Sequence, residues 1–131
     1  MKKISDKLFW VLAIALGVVF VSQQLQASDG IDAKQALSMM QQGALLLDVR
    51  QPEEYSAIHA PNAKLIPLGE LPSRMQDISA YKDKPIVVMC RSGRRSAKAV
   101  ELLREAGYGN VSNLAGGIQS WEKDGLELVR M

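Results

Sequence analysis

The stretch from Pro85 to Leu103 constrains the chain more than any other. Ile86-Val87-Val88-Met89 is a short, uninterrupted apolar run rich in β-branched residues, which fits a strand buried on both faces. Cys90, the single cysteine among 131 residues, follows directly. Arg91 to Ser96 then turn the chain, with Gly93 supplying freedom at φ > 0. Ala99, Val100, Leu102, Leu103 and Ala106 recur at helical spacing until Gly107 ends the run. A thiol is thereby set between the carboxyl end of a strand and the amino end of a helix. Unpaired backbone N–H groups and the positive end of the helix dipole converge there. Arg91, Arg94, Arg95 and Lys98 follow within eight residues, with no acid among them. Each of these influences favours thiolate over thiol. A cysteine that merely fills core space gains nothing from such cations, which oppose the helix dipole at this end. The stretch reads as a nucleophile in an anion cradle.

Residues 1–27 carry the three parts of a secretory signal peptide. Lys2, Lys3 and Lys7 form a basic start, Leu8 to Val21 is an uncharged apolar run of 14, and Leu25-Gln26-Ala27 offers a small-residue cleavage point. Fourteen residues fall short of the ~20 of a spanning helix. The expectation is export to a bacterial periplasm, with an uncleaved inner-membrane anchor as the alternative. Residues 28–131 then form one domain. Of the 16 basic and 14 acidic residues, three lysines and Asp6 belong to the leading segment, so the remainder is balanced. That balance, with no basic helix interleaved with aromatics, argues against nucleic acid as a partner. Membrane contact is expected only if the signal stays attached. A lone cysteine excludes an internal disulfide, so in an oxidising compartment it is either buried and inert or kept for its reactivity.

Along the chain, Ile31 to Gln42 predicts a helix capped by Asp32 and ended by Gly43. Ala44 to Val49 predicts a buried strand with Asp48 and Arg50 at its end. Pro52 opens a short helix that stops near His59. Lys64 to Pro67 reads as a brief strand and Leu68 to Ile78 as a helix interrupted at Pro72. Val111 to Leu114 is a further strand, Ala115-Gly116-Gly117 a tight turn, Ile118 to Lys123 a helical turn and Leu126 to Val129 a last extended piece. Short strands alternating with helices define an α/β domain with a largely parallel sheet. Ligands of such sheets bind beyond the carboxyl ends of the strands, where both Cys90 and Asp48 fall.

These pieces together resemble the rhodanese family, in particular small single-domain exported members. The likeness rests on Leu47-Asp48-Val49-Arg50, Glu53-Glu54-Tyr55, His59, Asn62-Ala63, Cys90-Arg91-Ser92-Gly93-Arg94-Arg95-Ser96, Gly107-Tyr108 and Gly116-Gly117-Ile118-Gln119-Ser120-Trp121, in this order. The resemblance implies a central, largely parallel sheet of about five strands with helices on both faces. It implies that Cys90 carries sulfur as a persulfide, taken from thiosulfate or a similar anionic donor and passed to cyanide, a thiol or a protein acceptor. Amides of the loop from Arg91 to Ser96 would hold the terminal sulfur, and Arg91 and Arg94 would attract the donor. Arg95 would support the loop's shape from within, and Asp48 and Arg50 would order neighbouring loops. Four residues separate Cys90 from Arg95, the rhodanese length, whereas phosphatase relatives have five and a wider pocket. No strand pattern is evident between Ser28 and Ile31, where the family places its first strand.

The remaining polar residues read as structural. The resemblance implies that His59, the only histidine, marks a helix end rather than the active site, and a persulfide mechanism needs no strong base. One histidine and one cysteine make no metal site, and no cofactor is expected. Trp121 reads as core or pocket wall, and Met39, Met40 and Met75 as packing. A thiosulfate sulfurtransferase is the leading expectation, with a non-catalytic rhodanese-like binding or sulfur-carrier module as the alternative.

Overall fold

The computed structural model describes residues 30–131, so the expected signal peptide, 1–27, lies outside the described residues. A five-stranded parallel sheet forms the centre, as expected. Its strands are β1 (Gly30–Ile31), β2 (Leu45–Asp48), β4 (Lys64–Leu65), β5 (Ile86–Met89) and β6 (Val111–Leu114), in spatial order β1-β6-β5-β2-β4. All four neighbouring pairs run parallel, with Leu45 opposite Ile86 and Ile86 opposite Val111. β5 is therefore the middle strand. Alternation along the strands divides the core in two. Leu45, Leu47, Ile86, Val88 and Cys90 pack with Leu71, Ile78, Ala99, Val100 and Leu103 on one face. Leu46, Val87 and Met89 pack with Ala33, Ala36, Ile118 and Trp121 on the other.

Helices thus cover both faces: α1 (Ala33–Gln41) and α5 (Gly117–Lys123) one, α4 (Arg94–Glu105) the other. Asp32 caps α1 as predicted, its side chain accepting from the Gln35 amide while the Gln35 side-chain oxygen accepts from the Asp32 amide. The segment after β4 differs from expectation. It is a 3-10 turn (Leu68–Glu70), α3 (Leu71–Arg74) and a second 3-10 stretch (Met75–Tyr81). Pro72 lies in the first turn of α3, where its missing N–H costs nothing, so it begins a helix rather than interrupting one.

The first strand exists, though it is only two residues long. It is held by pairing of Gly30 and Ile31 with Asn113 and Leu114. α2 (Pro52–Ala57) ends before His59, which belongs to β3 (Ile58–His59) and pairs antiparallel with β7 (Val129–Arg130). The His59 ring stacks on Tyr55 at 3.9 Å, and its Nδ1 lies 2.8 Å from the Tyr55 carbonyl. The helix thus stops near His59 as expected, and the same residue also fastens a small two-stranded ribbon. A cleft of about 650 Å³, lined by Leu37, Met40, Leu46, Pro61 and Trp121 among others, opens near the start of β2. The thiol lies at the opposite, carboxyl end of the strands.

Candidate active site

Cys90 follows the last residue of β5 and is 1% exposed as a residue. The backbone leaves the sheet there and reaches α4 through Gly93, whose φ of 111° is a left-handed value that a side chain would strain. This turn brings the Gly93 amide to 3.0 Å from Cys90 Sγ. One helical turn later the buried Ser96 hydroxyl lies 3.3 Å from the same sulfur. Burial pushes the thiol up, but the Ser96 hydroxyl and the amides of Ser96, Gly93 and Ser92 outweigh it and hold Cys90 below its ordinary value. Arg95 also acts on Cys90 through its charge. The groups that bond the sulfur and favour its anion are amides and one hydroxyl, not guanidinium groups.

The loop is also held from the other side, through its carbonyls. The Cys90 carbonyl accepts from the Ile118 amide at 2.9 Å and the Arg91 carbonyl from the Gln119 amide at 3.3 Å. Both donors belong to the first turn of α5, which the backbone enters through Gly116 and Gly117 at φ of 75° and 56°. A Cβ on Gly117 would overlap the Cys90 carbonyl oxygen, so only glycine lets α5 approach this closely. α5 therefore clamps the outer side of the loop while the sulfur occupies the inner side.

β6 supports the loop from a third direction. Asn113 Nδ2 donates to the Gly93 carbonyl at 3.1 Å, and its Oδ1 lies 2.6 Å from Ser96 Oγ. Sequence reasoning missed Asn113, and named Gly117 only within a tight turn and the family motif without giving it a place in the site. The signals were a lone amide in a strand that is otherwise Val, Ser and Leu, and the second glycine of a pair at a helix start.

The other predicted residues occupy distinct places. Arg91 and Arg94 are exposed around the loop. Arg95, expected to support the loop from within, turns instead to α2 and makes a two-pronged pair with Glu54 at 2.6 and 2.9 Å. The Glu54 carboxylate, also bonded by the Gln51 amide, offers a planar guanidinium a better partner than single carbonyls do. Hydrogen bonding from Arg95 brings Glu54 down to about 2, against the partial desolvation of its carboxyl. Asp48 and Arg50 form a buried pair at the end of β2, 0% and 2% exposed, with Nη2–Oδ2 at 2.7 Å. Arg50 also donates to the Glu54 and Ile58 carbonyls, at 3.3 and 2.7 Å. β2, α2 and α4 are thus linked through Asp48, Arg50, Glu54 and Arg95.

A thiol at the end of the central strand of a parallel sheet, wrapped by loop amides, defines a class of cysteine-dependent α/β domain. The comparisons narrow it: residues 32–124 match the rhodanese-like domain, and the chain belongs to the rhodanese family. It is 44% identical over 85 residues to a sulfurtransferase of Allochromatium vinosum, covering 65% of this chain and 78% of that protein. It is 30% identical over 116 residues to thiosulfate sulfurtransferase 16, chloroplastic, of Arabidopsis thaliana, covering 81% and 97%. Among solved structures, a rhodanese-related protein from Thermoplasma volcanium superposes with a TM-score of 0.69 at 35% identity, covering 76% of this chain and 96% of that one. This is a rhodanese-like member of a sulfurtransferase family.

Proposed function

We propose that the protein is a thiosulfate-type sulfurtransferase working through a Cys90 persulfide. The Cys90 thiolate attacks the outer sulfur of thiosulfate, the S–S bond of the donor breaks, and sulfite leaves with its electron pair. Cyanide or an acceptor thiol, free or on a protein, then attacks the terminal sulfur and releases Cys90 as thiolate. The observation that carries this reading is the buried sulfur with the Gly93 amide 3.0 Å away and its thiol held below the ordinary value. The same amides suit the anionic outer sulfur of a persulfide, stabilising charge with groups already in position. A loop of four residues between Cys90 and Arg95 fits one sulfur atom better than a tetrahedral phosphate. The exposed Arg91 and Arg94 supply the field that draws an anionic donor to the mouth. The basic start and 14-residue apolar run support export to the periplasm with cleavage after Ala27. N-terminal sequencing of protein from a periplasmic extract checks this, and Met1 retained on membrane-bound protein would refute it.

The catalytic reading is tested by alkylation and discharge. Thiosulfate should shield the thiol from a small alkylating agent by converting it to a persulfide. Cyanide should then release one thiocyanate per protein and restore the reactive thiol. A thiol that alkylates equally with and without thiosulfate, and yields no thiocyanate, would refute the reading.

A further inference from the structure

The contacts of Asn113 determine where a proton sits. A carbonyl oxygen only accepts, so the group 3.1 Å from the Gly93 carbonyl must be the Asn113 amide nitrogen. That fixes the flip of the side chain and turns its oxygen to Ser96 Oγ, 2.6 Å away. An amide oxygen likewise only accepts, so at this short separation the Ser96 hydroxyl is the donor. Ser96 Oγ also lies 3.3 Å from Cys90 Sγ. A hydroxyl has one proton, and here it faces two acceptors.

We propose that Asn113 and the Cys90 sulfur compete for the single Ser96 hydroxyl proton, which makes Asn113 a positioning residue that sets the availability of Ser96 to the sulfur. With a neutral thiol, the Cys90 S–H donates to Ser96 Oγ and the Ser96 O–H donates to Asn113. On ionisation the thiol proton leaves to solvent, and a Ser96 lone pair facing the sulfur becomes repulsive. The hydroxyl then rotates about its C–O bond to donate to the sulfur, and Asn113 Oδ1 loses its donor. No O–H bond breaks. The backbone amides favour the anion without such an exchange, so the anion's stability is a balance of a fixed cradle against one contested bond.

This competition deepens the proposed function, since sulfur loading moves the negative charge from Cys90 Sγ to a terminal sulfur and discharge returns it. Ser96 follows that change, and Asn113 sets its cost. Charged groups around the sulfur do not imitate the effect. Arg95 on α4 acts on Cys90 through its charge but is paired to Glu54, which ionises near 2. Asp48, whose charge reaches Arg95, is paired to Arg50. Arg91 and Arg94 are exposed in solvent, and the α5 terminus presents amides to the loop carbonyls rather than a titrating group.

The test is a double-mutant cycle read by the pH dependence of Cys90 alkylation in wild type, Asn113→Ala, Ser96→Ala and the double variant. Asn113→Ala also frees the Gly93 carbonyl, and that effect is the same with or without Ser96. The competition predicts a titration midpoint lower by roughly 0.5–1 pH unit when Asn113→Ala is made beside Ser96 than when it is made beside alanine, the worth of one hydrogen bond. Equal shifts in the two backgrounds overturn the proposal. Infrared spectroscopy of the wild type needs no stable variant, because one cysteine gives one S–H band. Below the thiol's titration that band should lie at the lowered frequency of a hydrogen-bonded donor, and a band at the free-thiol frequency overturns the proposal. Neither readout involves sulfur loading. Failure of thiosulfate to load Cys90 would strike the proposed function, whereas additive midpoints would strike only the proton competition.

Discussion

Adding one methyl group at position 117 would bring a Cβ within 2.6 Å of both the carbonyl carbon and oxygen of Arg91, and into overlap with the Cys90 carbonyl. All of these are backbone atoms, so no rotamer change relieves the contact, and the α5 clamp must separate from the loop by about 1 Å to reach ordinary packing distance. Three costs follow. Alanine at φ of 56° is strained by roughly 1–2 kcal/mol. The bonds from Ile118 and Gln119 to the loop carbonyls, at 2.9 and 3.3 Å, stretch or break at about 0.5–1.5 kcal/mol each. Overpacking adds about 1 kcal/mol or more. Gly117→Ala should therefore destabilise by roughly 3–6 kcal/mol, which a domain in the upper part of the usual range of about 5–15 kcal/mol survives. Its Cys90 should alkylate and load sulfur on the order of 100-fold more slowly, because the amides move by about 1 Å from the sulfur. Gly116→Ala is the control. Its Cβ would meet the Ser120 hydroxyl, which can rotate away, and Ser120 Cβ at 3.0 Å, which needs only a small local shift, so the backbone strain of about 1–2 kcal/mol dominates. Urea unfolding and the rate of Cys90 alkylation at neutral pH read both effects. Equal stability and equal thiol reactivity in the two variants would refute the clamp.

Glu54→Gln should destabilise by about 1 kcal/mol at neutral pH, a value discounted for the pair's partial exposure. Glu54 is lowered from 4.5 to about 2 in the fold, so its stabilisation is present above 4.5 and lost as pH falls through 2, and the difference from the variant should vanish across that window in urea titrations. Asp48→Asn leaves the Arg50 charge buried without its partner and should cost about 3–5 kcal/mol by the same assay. Arg91→Ala should leave stability within about 0.5 kcal/mol, as for an exposed residue, while slowing thiosulfate use, with a deficit that shrinks as salt is raised. Identical kinetics of this variant and the wild type at low salt would remove Arg91 from donor attraction.

Local patterns carried most of the architecture. The run from Ile86 to Met89 is apolar at every position because both sheet faces are covered, and the four residues are indeed fully buried. The Asp32 cap and the Pro52 helix start are equally local signals. Features created by distant parts of the chain were not legible. A strand of two residues has no period, so β1 is defined only by β6 beside it. His59 becomes a ribbon residue through pairing with Val129, 70 positions away, which no helix-end signal anticipates. Arg95 carries no mark of its pairing with Glu54, 41 residues distant. Within the site, the strand–Cys90–helix order announced a stabilised thiolate. The charges drew attention to the arginines, whereas the groups nearest the sulfur are amides and a hydroxyl, and backbone amides leave no trace in side-chain composition.

The central claim is that Cys90 itself carries the sulfur, and intact mass spectrometry after incubation with thiosulfate tests it most directly. The wild type should gain the mass of one sulfur atom, lose it on addition of cyanide, and gain none when Cys90 has been alkylated beforehand. Cys90→Ser should keep the fold by circular dichroism and gain nothing, since a serine hydroxyl is scarcely ionised at neutral pH. A sulfur adduct that forms on folded Cys90→Ser, or a folded wild type that gains no sulfur at any thiosulfate concentration, would contradict the account.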